Sequence, residues 1–187
     1  VGKYFGTGDF TLADSYHSVI EAVKHAAWSH NAKPVMTWID SETYENDPQK
    51  AEDLANYDGL IVPGGFGTRG ILGIIRAIKY ARENKMPYFG LCYGMQLATV
   101  EFVRHVLGKG KANTVEVDEK TPDPVIHISE NQAHNVKENR YGGTMRLGAY
   151  DCTLTPGTKT AAAYGVDTVS ERHRHRYEFN NDYRAAV

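Results

Sequence analysis

A cysteine set between two glycines is the residue of this chain best placed to do chemistry. It lies in Gly90-Leu91-Cys92-Tyr93-Gly94-Met95-Gln96, after an apolar run and before a helical pattern. A nucleophile displayed on a sharp strand-to-helix turn needs a strained backbone, and small residues two before and two after it relieve the crowding. There the amide after the nucleophile can donate to a developing oxyanion, and the helix N-terminus is expected to lower the thiol pKa. The plainer reading is a buried structural cysteine, which the spacing and the setting together disfavour. The second feature is Pro63-Gly64-Gly65-Phe66-Gly67. Glycines let a backbone approach a ligand and aim its N–H groups at an anion. No Gly-Lys-Ser/Thr follows, so a phosphate loop is excluded. Alone the segment fits an ordinary tight turn equally well; beside Cys92 it is a candidate for the other half of an oxyanion hole.

The third feature, Glu171-Arg172-His173-Arg174-His175-Arg176-Tyr177-Glu178, alternates Arg and His with period two. A strand would show the arginines on one face and His173, His175 and Tyr177 on the other. A solvated or salt-bridged strand is one reading, and arginines that hold a carboxylate substrate are another. Nucleic-acid binding and a His173–His175 metal site are disfavoured, because no second basic cluster and no further ligand group accompany them.

The elements that must position these residues alternate strand and helix signals over the first hundred positions. Val1 to Tyr4 reads as a strand. Asp14 can cap a helix over Ser15 to Ser29, with Val19, Ile20, Val23, Ala26 and Ala27 on one face. Val35 to Ile39 is expected as a short strand, Ala51 to Ala55 as a small helix, and Gly59 to Val62 as a buried strand. A helix carrying Ile74, Ile75, Ile78 and Ala81 follows, then a strand over Pro87 to Leu91. The last of this series is a helix over Gly94 to Val106, with Leu97, Ala98, Phe102 and Val106 facing inward. This order predicts an α/β fold, a mostly parallel central sheet with helices on both faces. Both glycine-rich turns then fall at the carboxyl ends of strands, where such sheets keep their chemistry. Beyond Asn113 the expected strands are Pro124 to Ile128, Thr144 to Leu147, Cys152 to Thr155 and Val169 to Phe179, with a polar loop over Ser129 to Tyr141.

Bulk properties narrow the function classes. The 187 residues suit one domain, and a net charge of −2 supplies no basic field for nucleic acid. No apolar run is long enough to span a bilayer, and two cysteines make no disulfide framework, which points to the cytoplasm. Val1 is not a start methionine and the end at Ala185-Ala186-Val187 carries no cap, so the chain reads as an excerpt of a longer polypeptide.

Four segments carry a family resemblance: Val62-Pro63-Gly64-Gly65-Phe66-Gly67-x-Arg69-Gly70, the Gly90 to Gln96 turn, Gly142-Gly143-Thr144-Met145-Arg146-Leu147-Gly148, and Glu171 to Glu178. Together, and in this order, they resemble the glutamine amidotransferase domain of CTP synthases. The cysteine turn marks class I glutaminases in general, and the last two segments select the CTP synthase branch. The resemblance implies a class I glutaminase-like fold with flavodoxin-like layering across residues 1–187, without the domain's C-terminal part. It implies that Cys92 attacks the side-chain amide of L-glutamine and forms a γ-glutamyl thioester. Gly65, Tyr93, Gly94, Met95 and Gln96 would hold the substrate and its oxyanion, Glu116 its ammonium, and Arg176 its α-carboxylate. No cofactor and no metal belong to this domain. ATP and Mg2+ would serve an amidoligase domain of the same polypeptide, which aminates UTP, and the full protein would be a homo-oligomer. The alternatives are the glutaminase of another biosynthetic amidotransferase, and a non-catalytic glutamine-binding module.

The resemblance breaks at one point. The family completes its triad from a His-Pro-Glu segment, and none of the eight histidines here precedes a proline. His173 and His175 belong to a motif that the family has in addition. Tyr93 also stands where most relatives carry Leu. Losing acid–base help costs about 10²- to 10⁴-fold, and triad members act as a unit. The 187-residue chain should therefore bind glutamine weakly and release ammonia barely above background. Ammonia release at an ordinary enzyme rate would show that one of the eight histidines serves as the base.

Overall fold

The hydrophobic pattern around Leu60 and Tyr88 produces the two strands on which the rest of the first unit is built. A computed structural model describes residues 1–4, 16–128 and 146–187, with no side-chain description at 146 and 147. Strands β1 (Leu60–Val62) and β2 (Tyr88–Gly90) pair in parallel, Leu60 opposite Tyr88 and Val62 opposite Gly90. Parallel neighbours need a crossover, and helix α3 (Ile71–Glu83) supplies it. Helix α4 (Tyr93–His105) follows β2 after a two-residue turn. The α/β expectation holds, and both glycine-rich turns leave the carboxyl ends of this pair.

Helix α3 buries Ile71, Gly73, Ile74, Ile75, Ala77, Ile78 and Ala81, the stripe its periodicity foretold. In α4 the inward face is rotated from the expected one. Leu97 is buried, but Ala98 and Phe102 are half-buried and Val106 is exposed; Tyr93, Val100 and Val103 complete the core instead. The cause is an ion pair. Glu101 is 1% exposed and accepts from Arg82 of α3 at both oxygens, Nε and Nη2 each at 2.9 Å. A buried carboxylate must be paired, so the helix turns to bring Glu101 to the guanidinium.

Helix α1 (His17–Ser29) forms as expected, though none of its residues is buried and its proposed cap, Asp14, lies outside the described residues. The expected strand at Val35 to Ile39 is not one. A strand exists only through a partner's hydrogen bonds, and among the described residues the single bridge here joins Gly2 to Asp40. Val35 is 90% exposed. The expected strand at Val1 to Tyr4 is likewise reduced to that bridge. A helix unforeseen in the sequence, α2 (Ser41–Asn46), begins where the Asp40 carboxylate accepts the Glu42 N–H at 2.9 Å. The Ala51 region forms a 3₁₀ helix, Pro48–Asn56.

The chain forms two compact units, Val1–Ile126 with Phe179–Val187, and His127–Glu178. In the first, β3 (Asn113–Thr114) runs parallel to the start of β4 (Pro124–Ile128), and Asn180 donates its N–H to the Val125 carbonyl at 2.9 Å. The second unit centres on the antiparallel pair β5 (Arg146–Thr153) and β6 (Thr168–His175). The strands expected at Thr144 to Leu147 and Cys152 to Thr155 thus merge into β5, and Val169 to Phe179 divides at Arg176 into β6 and β7 (Tyr177–Phe179). The expected loop over Ser129 to Tyr141 and most of the Gly142 to Gly148 segment lie outside the described residues.

Helix α2 packs so closely on α3 that a Cβ at Gly73 would overlap the Ser41 carbonyl oxygen and approach the Glu45 nitrogen to 2.9 Å. Gly73→Ala should therefore cost about 2–3 kcal/mol in urea unfolding, although alanine is the better helix former. Gly110→Ala, at an open position, should stay within about 0.5 kcal/mol.

Candidate active site

Cys92 has φ 54° and ψ −104°, a conformation side-chain-bearing residues rarely adopt. Its neighbours show what allows it. Leu91 donates its N–H to the Val62 carbonyl at 2.9 Å, tying the turn to the end of β1. A Cβ at Gly94 would collide with that same Val62 carbonyl, and one at Gly90 would lie 2.6 Å from the Gly94 carbonyl carbon. Both flanking positions require glycine for space, as the sequence pattern implied. Helix α4 starts immediately, with Gln96 N–H donating to the Cys92 carbonyl at 3.1 Å.

The Pro63 to Gly67 loop comes to the same place. A Cβ on Gly64 would stand 3.9 Å from the Cys92 Sγ, and the Gly65 and Tyr93 N–H groups both hydrogen-bond towards the sulfur. These two amides favour the thiolate. Although Cys92 as a residue is exposed, loss of hydration around the thiol acts the other way and is the larger effect, and the Glu116 carboxylate adds to it, so the thiol is pushed above its ordinary range. The expectation that the helix N-terminus leaves Cys92 acidified is thereby corrected: desolvation outweighs the amides.

Glu116 lies just past β3, after Val115, whose N–H donates to the Ile126 carbonyl at 2.9 Å. Its Oε1 accepts the Gly67 N–H at 2.8 Å, which links it to the glycine loop. Gly65, Cys92, Tyr93, Gly94, Met95, Gln96 and Glu116 all belong to the first unit. Gly94 and Gln96 are buried and Met95 is exposed. Arg176 belongs to the second unit, half-buried at the break between β6 and β7. It does not continue the exposed face formed by Arg172 and Arg174. His173 meets the His175 ring edge-on at 5.6 Å and the Tyr150 ring at 5.3 Å. Among the described residues no three His, Cys, Asp or Glu side chains gather as a metal ion would require. No described helix is long and apolar enough to cross a membrane.

Two participants escaped the sequence reading. Lys3, only 3% exposed, donates from Nζ to the Phe66 and Gly67 carbonyls, each at 2.6 Å. The Tyr93 hydroxyl donates to the Gly67 carbonyl at 2.8 Å. No local pattern marks Lys3, and the sequence expectation at Tyr93 concerns its backbone amide and not its hydroxyl. A cavity of about 540 Å³ opens elsewhere, between α1, residues 33–39 and the β1–β2 pair. It is lined chiefly by apolar side chains and does not include Cys92.

Comparison with known proteins agrees with this geometry. The family model for glutamine amidotransferase class-I matches residues 11–186. The chain belongs to the class-I glutamine amidotransferase family. It is 52% identical over 184 residues to the CTP synthase of Carboxydothermus hydrogenoformans, and 49% identical over 187 residues to that of Rubrobacter xylanophilus. These alignments cover 98% and 100% of this chain but 33% and 32% of the relatives, so the chain spans about a third of their length. Among solved structures, the glutaminase domain of Trypanosoma brucei CTP synthase, with bound acivicin, superposes with a TM-score of 0.84 at 34% identity. That match covers 97% of this chain and 69% of the other. This amidotransferase chain therefore corresponds to the glutaminase domain of the CTP synthases.

The electrostatics of the site give a signed expectation. At pH 7.5 iodoacetamide should alkylate Cys92 more slowly than a cysteine in an unstructured peptide. Glu116→Gln, whose amide oxygen can still accept from Gly67, should speed that reaction about two- to threefold by removing a nearby negative charge. A slower Glu116→Gln reaction, followed on the Cys92 peptide by mass spectrometry, would contradict the assigned sign.

Proposed function

We propose that this chain is the ammonia-producing glutaminase of a CTP synthase, with Cys92 as its nucleophile. The observation that supports this most directly is the convergence of the Gly65 and Tyr93 N–H groups on the Cys92 sulfur. The Cys92 thiolate adds to the glutamine amide carbon, and the carbonyl oxygen takes up negative charge between those two donors. Collapse of this adduct breaks the C–N bond. The nitrogen leaves as ammonia after gaining a proton, and the γ-glutamyl group stays on sulfur. Water then releases glutamate and returns the thiol. Glu116, with Oε1 engaged by Gly67, offers its other oxygen to the substrate ammonium, and Arg176 receives the α-carboxylate.

In this reading ammonia passes to an amidoligase domain of the same polypeptide, where ATP and Mg2+ support amination of UTP. The glutaminase domain itself needs no cofactor. In these 187 residues taken alone the weak step is proton transfer: the thiol is pushed up, and they hold no His-Pro-Glu segment to draw the proton away. Slow hydrolysis alongside intact binding groups is the consequence.

A chloroketone analogue of glutamine separates binding from turnover, since it needs only the pocket and the sulfur. It should label the 187-residue chain at Cys92 and fail on Cys92→Ala. Charged hydrogen bonds contribute about 1.5–3 kcal/mol each, so Glu116→Ala and Arg176→Ala should each weaken the analogue's KI by about 10- to 100-fold. Labelling that survives Cys92→Ala would refute the nucleophile. A KI untouched by both pocket variants would refute their roles.

A further inference from the structure

Beyond the buried Pro63, the loop that carries Gly65 has little side-chain anchor of its own. Gly64, Gly65 and Gly67 lack side chains, and Phe66 is 71% exposed, leaning on the Tyr4 ring at 6.0 Å. Glycine-rich backbone samples many conformations, so something outside the loop must select the one that aims the Gly65 N–H at sulfur. The loop's carbonyls show what does so. Lys3 Nζ binds those of Phe66 and Gly67, and the Tyr93 hydroxyl binds that of Gly67 a second time. The same two side chains lie behind Gly65: a Cβ there would meet Lys3 Cδ at 3.2 Å and Tyr93 Cδ1 at 3.5 Å. Lys3 Nζ also lies 5.0 Å from the centre of the Tyr93 ring, so the two form one unit.

We propose that Lys3 and the Tyr93 hydroxyl are a positioning pair that holds the glycine loop by its carbonyls and thereby sets the Gly65 amide at the Cys92 sulfur. This deepens the glutaminase reading and rests on it for its catalytic meaning, but not for its geometry. An ammonium suits the task because it offers three donors from one atom, directed here at two carbonyls and an aromatic face. With both carbonyls held on one side, the Gly67 N–H is turned to Glu116. Burial lowers the Lys3 pKa to about 8, with Glu116 and Glu45 pulling it up and Arg69 pushing it down. The fold thus keeps a desolvated lysine behind its glycine loop, where a surface lysine would cost nothing.

The pair is tested in the 187-residue chain with Lys3→Met, Lys3→Arg and Tyr93→Phe, each checked for folding by its thermal melt. Iodoacetamide alkylation of the Cys92 peptide, followed from pH 6 to 10, reads the Gly65 amide through the thiolate it stabilises. In Tyr93→Phe and Lys3→Met the profile should move to higher pH and the rate at pH 8 fall by about threefold or more. Lys3→Arg, which keeps a donor and the charge, should recover part of that loss. Tyr93→Phe removes one oxygen and no charge. A shift confined to Lys3→Met would therefore mark lost charge rather than lost position, and would overturn the pair. Superimposed profiles in all variants would overturn it too. If Lys3→Met does not fold, Tyr93→Phe decides alone. With the chloroketone analogue, the positioning variants should lose about tenfold in the inactivation rate constant while KI changes less than about threefold. A parent chain that the analogue labels no faster than iodoacetamide does would defeat the glutaminase reading, and the pH profiles would still decide the pair.

Discussion

The Val62 carbonyl is the point on which the site depends. It ends β1, accepts the Leu91 N–H at 2.9 Å, and forms the surface against which Gly94 packs without a Cβ. One peptide group therefore fixes both sides of the cysteine turn. The next residue, Pro63, opens the glycine loop, so both donors that approach sulfur are referenced to the same short stretch of strand. The β1–β2 register, Val62 opposite Gly90, then sets how the two turns meet. A slip of one residue would exchange the faces of the strand and part the two turns. The strain at Cys92 is sustained because hydrogen bonds and close packing on both flanks leave the turn no alternative.

Charge in the first unit is arranged around this frame. Two amides favour the thiolate, while lost hydration and the Glu116 carboxylate oppose it, and the opposing influences prevail. To act as the proposed nucleophile, a cysteine so placed would depend on a base to draw off its proton, as Ser and Cys nucleophiles do elsewhere. Behind the loop, Lys3 is itself desolvated and binds carbonyls. Further from the site, the buried Glu101 accepts from the half-buried Arg82 and links α4 to α3, so the helix that begins beside Cys92 is also fixed along its length.

The second unit is of a different kind. Its β5–β6 pair is long, regular and largely exposed, with His173, His175 and Tyr150 forming a line of ring contacts. The period-two reading of Arg172 to His175 holds, because alternation is a property of the strand itself. It stops at Arg176, which lies between β6 and β7 and is half-buried where Arg172 and Arg174 are exposed.

The sequence by itself determined those features whose cause is local. The glycines around Cys92 are legible because the turn they permit is a matter of a few adjacent atoms, and the α3 stripe because one helix face needs only its own periodicity. The two strands ending at the glycine-rich turns were legible for a similar reason, since short apolar runs bounded by Gly and Pro have few other uses. Tertiary structure alone decided the rest. The segment from Val35 to Ile39 has the composition of a strand, but among the described residues its pairing is reduced to the Gly2–Asp40 bridge, and pairing is a property of two segments. The rotation of α4 follows from Arg82, nineteen residues before Glu101. The sign of the Cys92 shift follows from how much water the fold removes, which no spacing records. Lys3 stands 63 residues from the carbonyl it holds, in a stretch whose pattern announces nothing more than a strand. Its role exists only because the folded chain places an ammonium behind a loop that is mostly glycine and offers few side chains with which to hold itself.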